Sequence, residues 1–591
     1  MKKILLLTGI LFLHSGLLFA QRMSEKSIQV IEKAMTDELD RSKEKLKLAG
    51  LIDPFYISYS ATDNYRADIS ASFGALTRSN ESHSRALNLR LMVGDYQLND
   101  ENFQDNSGAM IFGGGGPQID LNLPLDDDYD VIRRGFWLAT DDLFKDANET
   151  FTKKKAALER KQLSDEDKDL PDFAKAPVAS VIEAPHELAF DKKGVEGALK
   201  DLSAIFSKFP EIQNCQVAFS YNNSYQIYKS TEGTTFRKPQ TNCDITIQAS
   251  AQALDDGEPM GLSLVFSAVT PNDQNFSKIK AETEKMAANL AALIRAPKYN
   301  DKEYTGPVMF EADAAPDFLA DHLISKFPAQ REDVLGGNVV MSFGNKGASF
   351  QKKISTRVLP VSVSVRDIPS LKTKDGMNLL GAYSIDDEGV KPLDLSLVDK
   401  GILKTIYTTR TPTKEVKESN GHARSGTNPA PGVVEITNTK AVASAAMRKD
   451  LFRRAKEDGY NYAFIVRSTK RAPLLFTDGM GSIDDLLSGE KAIVPALVYK
   501  VDIATGKEEL VRGLEISFPT PRDLRELITS KETGTLNTNL PSGGQGGFFS
   551  FGGAKVPATL IGPTFILVPE LEVRKKKTNA NPTRPVVSRP N

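Results

Sequence analysis

Residues 381–404 read GAYSIDDEGVKPLDLSLVDKGILK. Three acids, Asp386, Asp387 and Glu388, stand side by side ahead of Gly389. Such a cluster fits a metal site, a catalytic carboxylate pair or a tight turn. Glycine reaches positive φ without steric cost, and Asp side chains accept hydrogen bonds from nearby amides. The local chemistry favours a structured turn that joins GAYSI to the strand-like KPLDLSLVD. Strand-like segments surround it: VLPVSVSVRD, ILKTIYTT, AIVPALVYKVDI, EELVRGLEIS and ATLIGPTFILVPELEV. Two helical stretches interrupt them, PDFLADHLISKF and MRKDLFRRAKEDG. This pattern predicts an antiparallel, β-rich, barrel-like domain over residues 301–574.

The preceding half mixes the two periods. Residues 24–48 carry apolar side chains at helical spacing among many charges, the pattern of an amphipathic helix. FYISYSATD, ADISASFGAL and RALNLRLMVG alternate as strands of an antiparallel sheet. A strongly charged helix, DDLFKDANETFTKKKAALERKQL, and a polar linker, LSDEDKDLPDFAKAPV, form an insertion near 140–178. GVEGALKDLSAIFSKF reads as a helix, and four short strands follow: QNCQVAFSYNN, SYQIYKS, GTTFRKP and CDITIQA. A long helix, FSKIKAETEKMAANLAALIRA, closes a first domain over residues 21–300. The fold class is α+β, with two domains. The tail 575–591, basic and Pro-containing, is expected to be disordered.

A length of 591 residues exceeds what one core needs. A composition of 40% hydrophobic and 26% charged residues is that of a globular protein. The net charge of −2 excludes the basic footprint of a nucleic-acid binder. The N-terminus has a secretory pattern: Lys2-Lys3, the apolar ILLLTGILFLHSGLLF, and Ala20 before Gln21. Residues 1–20 are predicted to be a cleaved signal peptide, and the mature chain to be periplasmic or extracellular. No Cys follows the apolar run, and no other stretch is apolar for long enough to span a bilayer. Export places Cys215 and Cys243 in an oxidising compartment. A disulfide and a pair of buried thiols are both open readings.

The residues alone supply no evident active site. Histidine occurs four times after position 20, at His83, His186, His322 and His422, never two together. His186-Glu187 begins like a zincin motif, but no second His follows at the required spacing. There is no GxSxG nucleophile elbow. The glycine clusters at 113–116 and 542–553 lack the Lys-Ser/Thr of a phosphate loop and read as flexible loops.

The second half nevertheless resembles a family. Asp386 to Gly389, Gly401 to Lys404, Gly421 to Arg424 in SNGHARSG, and Asn438 in EITNT follow one another as in the TldD/PmbA superfamily of zinc metallopeptidases. The closing segments, GKEELVRGLEISFPTPRDLRELI and PATLIGPTFILVPELEVRK, are similar too. The likeness covers about residues 305 to 574 and is fainter before them. It implies a peptide chamber enclosed by two chains, in which Asp386, Asp387, Glu388, Gly421 and Arg424 are tunnel or turn residues.

The same resemblance implies a metal motif, HExxxH on a helix, with a Cys from a late glycine-rich loop. Here PDFLADHLISK stands in its place. Asp321 and Lys326 fall on the two His positions, His322 falls on the catalytic Glu position, and the late loop has no Cys. Zinc activates water and a Glu takes its proton; with these substitutions no zinc or other cofactor is expected. If the ancestral pocket survives, the Lys326 ammonium is expected to pair with Asp321 where the metal sat. The resemblance implies a TldE-like, non-catalytic subunit that dimerises with an HExxxH-bearing, TldD-like homologue and handles peptide. Two further readings stay open: an active peptidase with atypical ligands such as Asp321, His322 and Glu388, and a periplasmic peptide-binding or structural protein.

Overall fold

The computed structural model describes residues 23–103, 121–161, 163–186, 190–332, 349–469, 492–543 and 555–576. The signal segment, the 113–116 glycines, most of the 542–553 loop and the tail beyond 576 lie outside these residues. Among the described residues, no helix is long and apolar enough to cross a membrane.

The first half is built on one sheet in the order β3-β2-β1-β5-β6, with β7 and β4 both on β6. Its ranges are β1 Pro54–Ser72, β2 Ala75–Val93, β3 Leu121–Leu123, β4 Ser180–Ile182, β5 Asn214–Ser230, β6 Thr235–Gln252 and β7 Pro259–Ala268. All pairs are antiparallel except β4 with β6. Residues 214–252 form two long strands rather than the four short ones expected. Asn222, Asn223 and Ser224, which resemble turn residues, instead pair with Asn242, Thr241 and Gln240. The turn lies between β5 and β6, where Gly233 takes φ +96°. Ladder pairing over a half-buried surface outweighs the turn preference of single residues. Likewise β1 and β2 form one hairpin, closed at Phe73 and Gly74, both at positive φ.

Alternation along these strands sorts the two faces. In β1, Ile57, Tyr59, Tyr65, Ala67 and Ile69 share one face. The near end of that face packs under helices Glu25–Lys45 and Tyr129–Arg160, and the far end under Lys192–Ala204 and Phe276–Leu293. The opposite face carries Tyr56, Tyr228 and Phe236, which meet Phe173 and Ile385 instead of a helix. The polar stretch after residue 160 is therefore not a free linker. Phe173 is core, and the buried Asp172 carboxylate accepts hydrogen bonds from Lys154 and Arg331. The charged helix preceding it starts at Tyr129, capped by Asp128.

The second half holds two larger sheets. One orders 402–403, 395–399, 363–367, 433–438, 555–563 and 533–541. The other is curled and centres on β8 (Tyr304–Glu311), between 565–575 and 462–468. A shared core of Phe310, Phe318, Leu319, Val365, Val434 and Leu560 lies between them, with helix Ala314–His322 inserted. The architecture is α+β throughout.

Candidate functional site

Asp386 sits at the centre of the acidic turn. Its Oδ1 accepts hydrogen bonds from the amides of Glu388 (3.0 Å) and Val390 (2.8 Å). Its Oδ2 accepts one from Ala423 (3.1 Å). The side chain is fully buried. Burial and the neighbouring Glu388 push its carboxyl up from the ordinary range, and the Val390 and Ala423 amides and the Lys238 charge oppose them. Gly389 takes φ +80°, and a Cβ there would lie 2.6 Å from Thr234 Cγ2. The turn thus needs a glycine for its conformation and for its closeness to the first half of the chain.

The other two acids reach across that boundary. Asp387 accepts a hydrogen bond from Lys238 Nζ of β6 (2.8 Å) and one from the amide of Gly426 (3.1 Å). Glu388 accepts one from Arg90 of β2 (2.5 Å) and, with its second oxygen, one from the amide of Arg410 (2.6 Å). Arg410 is 2% exposed. Its guanidinium donates to both oxygens of Glu232 (2.6 and 2.7 Å) and to the carbonyl of Ala174 (2.8 Å), and stacks 3.9 Å from the Phe173 ring. Tyr96 adds a hydrogen bond to Glu232 (2.6 Å). Burial is the largest influence on Arg410 and works against its charge; Glu232 more than offsets it, so the guanidinium stays protonated. This is a buried charge network between two halves of one chain.

Gly421 also takes positive φ, +76°, and a Cβ there would come within 2.5 Å of the Lys391 carbonyl. Its own carbonyl accepts a hydrogen bond from Tyr383 Oη (2.8 Å), and Arg424 lies 4.6 Å over the Tyr383 ring and donates to the Pro431 carbonyl. Asn438 donates to Thr529 (2.9 Å). Beneath them His422 is fully buried, stacked on Tyr407 at 5.0 Å, with Nε2 4.0 Å from Asp367 Oδ1. Burial, ahead of all else, holds this imidazole below its usual range.

The helix in the metal-motif position is different. It runs from Ala314 to His322 and tightens into a single 3₁₀ turn at Ile324–Lys326. Asp321 is exposed and Lys326 half-buried. His322 is buried with its ring 5.1 Å from Phe318 and 4.8 Å from Phe518. Burial, followed by the Lys326 charge, pushes its pKa down to about 3. A zinc site needs three or four N, O or S donors converging on one point. This helix offers one imidazole seated between two aromatic rings and a carboxylate on the outer surface. Among the described residues, no group of three or more His, Cys, Asp or Glu side chains is placed to hold a metal. Glu388, considered as an atypical ligand, has both oxygens engaged by Arg90 and Arg410. These residues do not fit zinc.

Residues 303–468 match the domain family described as the PmbA/TldA metallopeptidase C-terminal domain. The chain thus carries a domain of the PmbA/TldA type over these residues. Beyond them the likeness is to solved folds. A suggested modulator of DNA gyrase from Thermotoga maritima superposes with a TM-score of 0.56 at 15% identity, over 92% of this chain and 100% of its own. TldE from Thermococcus kodakarensis gives 0.53 at 12%, over 91% and 99%. A second suggested gyrase modulator, from Bacteroides thetaiotaomicron, gives 0.54 at 10%, over 94% and 100%. At these identities the likeness is one of fold. No curated protein sequence matches the chain.

Sequence reasoning placed the acidic turn but not its partners. Arg90, Glu232, Lys238 and Arg410 are scattered single charges, and only the strand register brings them together. Of the two open readings of the cysteines, the structure gives the pair of buried thiols. Cys215 lies opposite Ala249 and Cys243 opposite Tyr221 on the β5–β6 ladder. Six rungs separate them, about 20 Å at the rise of a strand, against the roughly 7 Å limit between Cα atoms for a disulfide. Both are free and buried, and burial raises both thiols, Cys243 to about 12.

Proposed function

We propose that this chain is an exported, TldE-like, non-catalytic subunit of a peptide-processing complex, paired with a homologue that carries HExxxH. The observation that carries the reading is the environment of His322. The one imidazole at the motif position is held neutral between Phe318 and Phe518, beside an exposed Asp321 and the cation of Lys326. A general base or metal ligand needs an accessible lone pair aimed at a reactant. The acidic turn, with each of its acids hydrogen-bonded, supports a protomer that keeps a fixed shape for a partner to recognise. The solved neighbour TldE supports the same reading at the level of fold.

The test is reconstitution. The secreted chain is purified alone and together with an HExxxH-bearing homologue from the same cell, and peptide cleavage, zinc content and light-scattering mass are measured. The expected result is cleavage only with both chains, zinc only in the partner, and unchanged cleavage after Asp321→Ala or Lys326→Ala in this chain. Cleavage by this chain alone with one tightly held zinc would establish the active-peptidase reading instead. A monomer that captures no homologue yet binds peptide would leave a peptide-binding protein.

A further inference from the structure

A cleft of about 370 Å³ opens beside the metal-motif helix, lined by Phe350, Lys353, Thr356, Arg357, Val358, Pro521 and Arg525. Two chain segments tie its lining to the C-terminal end of that helix. The Phe350 amide donates to the Lys326 carbonyl (2.8 Å), and Phe518, which packs on His322, lies three residues before Pro521. Three of the lining residues are cations and none is an acid. Among the described residues none of these cations forms an ion pair. Arg357 donates to the carbonyls of Leu359 (3.3 Å) and Arg525 (3.2 Å), and Lys353 lies 5.7 Å over the Phe350 ring. Elsewhere the cations at the boundary between the halves are matched: Arg410 by Glu232, Arg90 by Glu101 and Glu388, and Arg512 by Asp255 and Glu258.

Three like charges converging on one concavity raise its potential and concentrate anions there. Guanidinium forks match a carboxylate bidentately. The remaining wall, Phe350, Val358 and Pro521, is apolar and suits a hydrocarbon side chain next to the anion. The volume lies at the lower end of small-ligand pockets, enough for one terminal residue and its neighbour.

We infer that this cleft binds the free C-terminal carboxylate of a peptide whose last side chain is apolar. Lys353 and Arg525 supply the charge from separate segments of the chain, and Arg357 holds the Arg525 backbone while adding a third. The inference rests on the peptide-handling reading above and adds direction to it: the peptide end is fixed one helix away from the former metal position.

Calorimetric titration of the full secreted chain tests it with three probes: a hexapeptide ending in Leu with a free carboxylate, its C-terminal amide, and N-acetyl-leucine. Tighter binding of the acid than the amide by about tenfold or more, with the preference abolished in Lys353→Gln and in Arg525→Gln, is the expected result. Equal binding of acid and amide overturns the cleft and leaves peptide handling standing. Binding of N-acetyl-leucine alone, sensitive to both substitutions, keeps the cleft and removes peptide handling. No binding of any probe removes both. The two variants lie on separate segments, and their thermal midpoints, expected to match the parent, verify that a lost preference is not lost folding.

Discussion

The acidic turn at 386–389 and the helix at 314–326 both lie in the domain that matches the family, and the structure treats them oppositely. At the turn every carboxylate is engaged: Asp386 by three amides, Asp387 by Lys238, Glu388 by Arg90 and Arg410. At the helix Asp321 faces outward, Lys326 is half-buried and His322 is a neutral aromatic spacer. The difference separates two jobs that one family motif set combines. Removing one member of a buried charge network strands its partner, which costs several kcal/mol. An imidazole seated between two aromatic rings belongs to no such charge network. The acids of the turn are therefore tied to stability in a way that His322 is not.

The comparison breaks most easily at Arg410. Arg410→Ala leaves Glu232 and the Ala174 carbonyl without their shared donor. We expect a loss of about 3–5 kcal/mol in urea unfolding, while Asp321→Ala, on the exposed side of the helix, changes stability by less than about 0.5 kcal/mol. The pair Arg410→Met with Glu232→Gln should recover much of the loss, because no lone charge remains. An Arg410→Ala chain as stable as the parent would mean the network is incidental and the contrast fails.

What was legible beforehand follows the same division. The turn was readable because Asp386 Oδ1 binds the amides of Glu388 and Val390, within four residues, and Gly389 supplies the positive φ. The helix Glu25–Lys45 was readable from its apolar spacing alone. The Arg410–Glu232 pair was not, since its members are 178 residues apart and meet only through sheet register. Pairing across a tertiary boundary leaves no local pattern. The long strands misled for the reverse reason: Asn222, Asn223 and Ser224 carry a strong local signal that β1 and β6, pairing on either side, override.

Gly389 sharpens the contrast at a single atom. Gly389→Ala forces a non-glycine residue to φ +80° and drives Cβ to 2.6 Å from Thr234 Cγ2. Backbone strain of about 1–3 kcal/mol and overpacking of about 1–3 kcal/mol act together. Adding Thr234→Ser removes the clashing methyl, so the double variant should regain only the overpacking part. Full recovery would show that the conformation itself costs nothing, and no recovery would show that the docking onto β5–β6 is looser than drawn.

The smallest effect belongs to His322, and its signature is pH. Its pKa is held down to about 3 in the folded chain, by burial first and the Lys326 charge second, against about 6.5 when unfolded. As pH falls, the unfolded chain takes up a proton before the folded chain does. The stability conferred by the neutral imidazole is therefore complete above pH 6.5 and is lost progressively toward pH 3. Between pH 7 and pH 5 this linkage amounts to about 2 kcal/mol. His322→Leu fits among Phe318 and Phe518 and has no proton to bind, so its urea midpoint should gain on the parent's as the solution is acidified; the other titrating groups are common to both chains and cancel. Lys326→Met should retain most of the parent's dependence, because burial is the larger cause. Parallel pH profiles for parent and His322→Leu would mean that the imidazole ionises as it does in water, and an imidazole that open to solvent could take part in proton transfer, which would reverse the contrast between the helix and the turn.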